Sequence, residues 1–175
     1  MTIAIALRLD GATASRVAAF AEALPDRLHD VARLGPSDPA HIILAAYSDR
    51  IDVADLDAAL ATATGSWRTL SVTLGVIGVV PDDPASAISF LAIPTVDLLR
   101  RHAILHRALA DVPSHPAYQI DAWTPAVIVG VTSFLGDSVE VLASLWNGPI
   151  TGRAVSLDLV RLNPMTVISA RRLLG

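Results

Sequence analysis

His41 is the side chain in this 175-residue sequence best placed by type to move a proton, because an imidazole changes charge near neutral pH. It opens the apolar run His41-Ile42-Ile43-Leu44-Ala45-Ala46-Tyr47-Ser48. A shift of 85 positions lays this run over Ala126-Val127-Ile128-Val129-Gly130-Val131-Thr132-Ser133. The same shift sets Ile3 on Ile88, Asp52 on Asp137, Leu60 on Leu145, Ser71 on Ser156 and Leu74 on Leu159. The chain thus reads as two copies of one unit, and the residue facing His41 across the repeat is Ala126. Strand residues i and i+2 share a face. His41 with Ile43, and Ala126 with Ile128, are therefore expected to line one groove, with Tyr47 on the His41 face by the same period.

Other chemistry-bearing residues are fewer. His102 and His106 stand four apart on a helix, a spacing that can hold zinc. No glutamate lies between them and no third ligand is evident, so a solvated helix face and no metal are expected. The loop Ser114-His115-Pro116-Ala117-Tyr118 and the pair Trp123-Thr124 precede the second apolar run. His115, Tyr118, Trp123 and Thr124 are candidate ligand contacts, with Trp123 able to stack on a base. Ser71 and Thr73 alternate with leucine and valine, as do Ser156 and Asp158 in the repeat. Their polar faces are expected to meet water. Gly75, Gly78 and Gly130 form no phosphate-binding glycine pattern, and no cofactor is expected.

Composition sets the outer limits. Apolar residues make up 53% and charged residues 17%, enough for a packed core and too apolar for disorder. A net charge of -4 gives no strong nucleic-acid signal. Cysteine is absent, which removes disulfides, thiolate catalysis and cysteine-bound zinc. Every cation is arginine, and alanine is abundant, as in a GC-rich bacterial coding bias. The short apolar start, Met1 to Leu7, lacks the features of a signal peptide, and no run is long enough to span a membrane. A cytoplasmic protein with no membrane partner is expected.

These residues need a scaffold. Ile3 to Leu9 is expected to be a strand ending in an Asp10-Gly11 turn, and Thr13 to Leu24 a helix. A second helical stretch is expected to reach Leu34, and Asp38-Pro39 to mark a loop. Ala40 to Tyr47 reads as a strand, Asp52 as the cap of the next helix, and Leu70 to Val80 as a long strand. Pro81-Asp82-Asp83-Pro84 separates the units. The order recurs as strand Ile88 to Ile93, a helix from Thr95 and a polar loop from Pro113 to Asp121. That helix carries an apolar face of Leu98, Leu99, Ala103, Leu105 and Leu109. Strand Val127 to Phe134, a helix capped by Asp137 with Glu140, and strands Ala154 to Leu162 and Thr166 to Leu173 complete it. The expected architecture is a single α+β domain, 1–175, with lobes of about 1–80 and 86–175. They are related by a pseudo-twofold axis around a central groove, with the His41 and Ala126 strands central in their sheets.

Pro39-Ala40-His41-Ile42-Ile43-Leu44 and Trp123-Thr124-Pro125-Ala126-Val127-Ile128 carry a family resemblance. The chain resembles the 2H phosphoesterase superfamily, the 2′-5′ RNA ligase-like or RNA 2′,3′-cyclic phosphodiesterase family. In that family each lobe offers His-x-Thr or His-x-Ser, and the second motif often reads Trp-x-Pro-His-x-Thr. The resemblance implies a two-lobed fold with two histidines flanking a phosphate. Here Ile43, Ala126 and Ile128 replace three of the four signature side chains, and His41 is the one retained catalytic candidate. The expectation is a catalytically degenerate member that binds a small molecule, nucleotide or protein partner in the old groove. The alternatives are an active 2′,3′-cyclic or 2′-5′ phosphodiesterase or RNA ligase-like enzyme using His41 and a second group, with His115 first in line, and a structural or interaction protein without ligand.

Overall fold

The computed structural model describes residues 2–24, 31–33, 40–48, 51–80, 86–132, 138–162 and 164–175. Among the described residues the chain forms eight strands and four helices. The strands are β1 (Thr2–Leu9), β2 (Val31–Arg33), β3 (His41–Ser48), β4 (Leu70–Val80), β5 (Ser86–Ala92), β6 (Ala126–Thr132), β7 (Ile150–Leu162) and β8 (Thr166–Arg172). The helices are α1 (Gly11–Ala23), α2 (Val53–Thr64), α3 (Val96–Ala108) and α4 (Ser138–Leu145), with a 3-10 turn at Pro116–Tyr118. All strands pair antiparallel in one sheet of order β2-β6-β5-β4-β7-β1-β3, with β8 laid on β7.

Local chemistry explains the helix starts. Asp10 accepts from Thr13 N at 2.9 Å and so caps α1, which begins directly where only a turn was expected. Asp52 accepts from Ala54 N and Asp55 N at the start of α2, and Thr95 caps α3. On α3, Leu98, Leu105 and Leu109 are buried, but Leu99 faces solvent at 47% exposure. The anticipated helical stretch up to Leu34 is corrected in part. Residues 31–33 form β2, which pairs with β6, and residues 25–30 and 34–39, including the Asp38-Pro39 loop, lie outside the described residues. The Pro81–Pro84 boundary, Phe134 and the Asp137 cap also lie outside them.

The helices cover one face of the sheet. There Ile3, Ile5, Leu7, Ile88, Phe90 and Val127 pack against Val17, Leu56, Leu60, Leu98 and Leu105 in one core. The opposite face carries a small cluster of Ala4, Ala46 and Val160, bordered by Ile43, Tyr118, Leu162 and Met165.

Register exposes the internal symmetry and corrects the simple repeat. β4 and β7 meet at the centre around the pair Val72↔Gly152, then each joins the other unit's strands, β4 with β5 and β7 with β1. Each half of the sheet therefore mixes strands from both sequence units. β3 skips Leu44 as a bulge against β1, and β6 skips Val129 against β5, 85 positions later. β7 skips Val155 and β4 skips Gly75, which are 80 positions apart. The 85-residue shift thus holds for the motif strands but not for β4 and β7, so Ser71 and Leu74 are not the structural partners of Ser156 and Leu159.

The motif strands are also not central. β3 ends the sheet and β6 is next to last on the other side, yet the two touch. Trp123 Nε1, just before β6, donates to Ile43 O at 2.8 Å and ties the ends together.

Gly152 at the centre leaves no room for a side chain. A Cβ there would land on Thr13 Oγ1 and 2.9 Å from Asp10 Oδ2, where α1 starts. Asp10 also receives Arg153 N, and Asp10 N donates to Arg153 O at 2.8 Å, so this junction is tightly bonded. Gly152→Ala is expected to lower stability by about 1–3 kcal/mol, read from the urea midpoint at unchanged m-value.

Candidate functional site

On the helix-free face, cross-strand partners form two rows in each half of the sheet. In one half the rows are Ser156–Arg8–His41 and Asp158–Ala6–Ile43. In the other half the rows are Val76–Leu91–Ala126 and Gly78–Ser89–Ile128. The repeat superimposes these rows residue by residue. Ser156 lies 80 positions after Val76, Leu91 lies 83 after Arg8, and Ala126 lies 85 after His41. The polar members Ser156, Arg8, His41 and Asp158 thus stand over Val76, Leu91, Ala126 and Gly78.

The four polar side chains form one network. His41 Nε2 donates to Asp158 Oδ2 at 3.0 Å, and Arg8 Nε reaches the same oxygen at 3.2 Å. Ser156 Oγ donates to Asp158 Oδ1 at 2.5 Å and lies 3.2 Å from Arg171 O. Burial pushes the Asp158 carboxyl up, but the hydrogen bonds from His41 and Ser156 and the charge of Arg8 outweigh it. The net result is a carboxyl held below the ordinary carboxylate range. Ser156 and Asp158 were expected to face water. They are instead 2% and 0% exposed, because Asp158 is the partner on which the other three converge.

His41 is consumed by this role. Its side chain is 1% exposed, one nitrogen is bonded to Asp158, and Nδ1 is buried with no hydrogen-bond partner among the described residues. Ile43, Ala126 and Ile128 are half-buried on the same face of the sheet as His41. Tyr47 is not with them. The Leu44 bulge reverses the alternation, so Tyr47 pairs with Ile3 and is buried in the helix-side core. Burial raises its phenol to about 12.

The remaining candidates lie around the 3-10 turn. His115 is exposed, and its Nδ1 accepts from Ala117 N at 3.3 Å, while its own N–H donates to Ala46 O. Tyr118 packs on the small cluster that includes Ala46 and Ile43. Trp123 is buried with its ring stacked 3.9 Å from His102, and Thr124 is exposed. Trp123 is therefore a core plug with one ring face stacked on His102 and its indole N–H bonded to Ile43 O.

His102 and His106 do not form a solvated face. Both point inward, His102 Nε2 bonding Tyr118 O at 3.0 Å and His106 Nε2 bonding Leu44 O at 3.2 Å. They pin α3 to the 3-10 turn and to the bulge of β3. Among the described residues no group of three or more His, Asp or Glu is arranged to hold a metal. Sequence reasoning passed over Arg8 and missed the role of Asp158. Their only signal was a polar residue at alternating positions within otherwise apolar strands.

Burial, with a smaller push from His106, lowers His102 to about 4. An unfolded histidine titrates near about 6.5, so the folded state prefers the neutral ring. Its contribution is complete above the unfolded value and is lost as pH falls from about 6.5 towards 4, by about 3 kcal/mol. Urea midpoints measured between pH 7 and 4.5 should decline accordingly. His102→Gln, which keeps a donor for Tyr118 O, should flatten the decline. A flat wild-type profile would contradict this assignment.

No protein-family model matches the sequence, and no curated protein does. Solved structures do match over nearly the whole chain. TT0787 of Thermus thermophilus superposes with a TM-score of 0.73 at 15% identity, covering 100% of this chain and 99% of that one. LigT of E. coli complexed with 3′-AMP gives 0.69 at 12% identity, covering 99% and 98%. Usb1 of Kluyveromyces marxianus gives 0.52 at 15% identity, covering 98% of each. Identities this low speak to architecture, and the architecture is that of the LigT-like 2H phosphoesterases, an α+β fold with its strands and helices in the same arrangement.

Proposed function

We propose that this chain is a catalytically degenerate protein of the 2H phosphoesterase fold. On this reading it uses the helix-free face between the motif strands to bind a small molecule, nucleotide or protein partner rather than to turn over a phosphoester. The observation that carries the reading is the state of His41. A general acid or base must reach the proton it transfers. Here one ring nitrogen is bonded to Asp158, the other is buried, and the repeat-related position is Ala126.

The missing groups matter quantitatively. Loss of one acid–base group costs about 10²–10⁴ in rate, and loss of one donor to a charged transition state about 10²–10³. Ile43 and Ile128 stand where the family places hydroxyls, and apolar side chains there penalise a desolvated phosphate. Three losses acting on one transition state are not additive, so the expected deficit is about 10⁴ or more. LigT is solved with 3′-AMP and with NADP+, which makes nucleotides the first ligands to test for binding here.

The test compares wild type, His41→Ala and a restored protein carrying Ile43→Thr, Ala126→His and Ile128→Thr, with 2′,3′-cyclic AMP as substrate. No turnover by wild type is expected. Turnover by wild type that His41→Ala abolishes would overturn the reading and direct attention to His115 as the second group.

A further inference from the structure

We infer that the helix-free face is a site for an amphipathic anion, a molecule with one carboxylate or phosphate end and an apolar body. The inference rests on the binding reading above and names the ligand class of the same face. It is carried by the chemical mismatch between rows that the fold makes equivalent.

On one side the row continues outward as His41–Arg8–Ser156–Arg172, since Ser156 also pairs with Arg172 of β8. Arg8 spends its Nε on Asp158, while its side chain stays 36% exposed and its Nη groups have no hydrogen bond among the described residues. Arg172 is exposed and has no ion pair among the described residues. It also lines an open pocket of about 420 Å³ together with Thr69, Val155, Leu173, Leu174 and Gly175. The two arginines sit two strand spacings apart, about 10 Å, on either side of a serine. Guanidinium groups spaced in this way suit a carboxylate or phosphate, and the Asp158 bond has already ordered that of Arg8.

On the other side the equivalent row is Val76–Leu91–Ala126. Val76 is 56% exposed, Leu91 and Ala126 are half-buried, and Ile93 beside Gly75 is 51% exposed. A fully polar ligand leaves this wall in water, and a fully apolar one leaves both arginines without a counter-charge. Between the walls lie Ile43 and Ile128, also apolar. From Arg8 to Leu91 the path crosses β3 and β6, which touch without pairing, and an acyl chain laid along it covers apolar side chains. An anionic head at Arg8 and Arg172 with its chain over Ile43 and Ile128 satisfies both sides.

The probes are decanoate, decyl phosphate, decanol, inorganic phosphate and 3′-AMP, titrated by calorimetry against the full chain. Decanoate or decyl phosphate should bind at least about tenfold more tightly than decanol and than inorganic phosphate. Which of the two binds better identifies the head group. Arg172→Gln, at an exposed position outside the buried network, should remove most of the preference over decanol. Val76→Asn should weaken the amphiphiles about fivefold or more while leaving inorganic phosphate unchanged. Equal binding of decanol and decanoate overturns the proposal, as does an unchanged preference in Arg172→Gln. If only 3′-AMP binds, the amphiphile assignment fails while the binding reading stands; if no probe binds, the amphiphile assignment also fails. Turnover of a cyclic nucleotide defeats the non-catalytic reading independently.

Discussion

A carboxylate taken fully out of water must be compensated, and Asp158 sets that demand on this fold. An unpaired buried charge costs several kcal/mol, and removing one partner of a buried pair costs about 3–5 kcal/mol. Asp158 meets the demand with a guanidinium, an imidazole and a hydroxyl drawn from β1, β3 and its own strand β7. These contacts fix the register of three strands. They also fix the orientation of His41, and with it the loss of a free imidazole. One electrostatic requirement therefore organises half of the sheet and engages the His41 imidazole.

The other half has no such requirement, and its sequence reflects this. The positions equivalent to the polar quartet hold Val76, Leu91, Ala126 and Gly78, and the strand geometry survives unchanged, bulge for bulge. Backbone pairing is indifferent to which side chains stand on the helix-free face, provided the helix face stays apolar. The duplicated fold could thus keep its architecture while its two walls took different chemistry. Polar contacts stand where they tie strands together, and apolar side chains stand at the equivalent positions of the other half.

Much of this was legible in the sequence. The two motif strands could be equated because each offers the same apolar alternation over eight residues, and the 85-residue relation between His41 and Ala126 holds in space. Tyr47 was misplaced because a bulge at Leu44 leaves no local mark in an apolar run. β4 and β7 were aligned wrongly because their true partners differ by 80 positions, and sparse identities such as Ser71 with Ser156 favoured the wrong shift. The role of Asp158 was hidden because His41 lies 117 residues away, beyond any pattern of alternation. His102 and His106 read as solvated because nothing on α3 announces that the 3-10 turn and Trp123 will fold over them.

On the reading proposed above, His41 is a structural donor to Asp158 and not a group that meets a ligand. Ring-nitrogen NMR of uniformly ¹⁵N-labelled protein tests this most directly, with the His41 signals assigned through His41→Gln and followed while 3′-AMP or decanoate is added. Expected is a protonated Nε2 whose hydrogen-bonded shift stays fixed as ligand saturates, while Arg8 and Leu91 signals move. A His41 nitrogen that shifts on saturation, or that loses its hydrogen bond to Asp158, would contradict it.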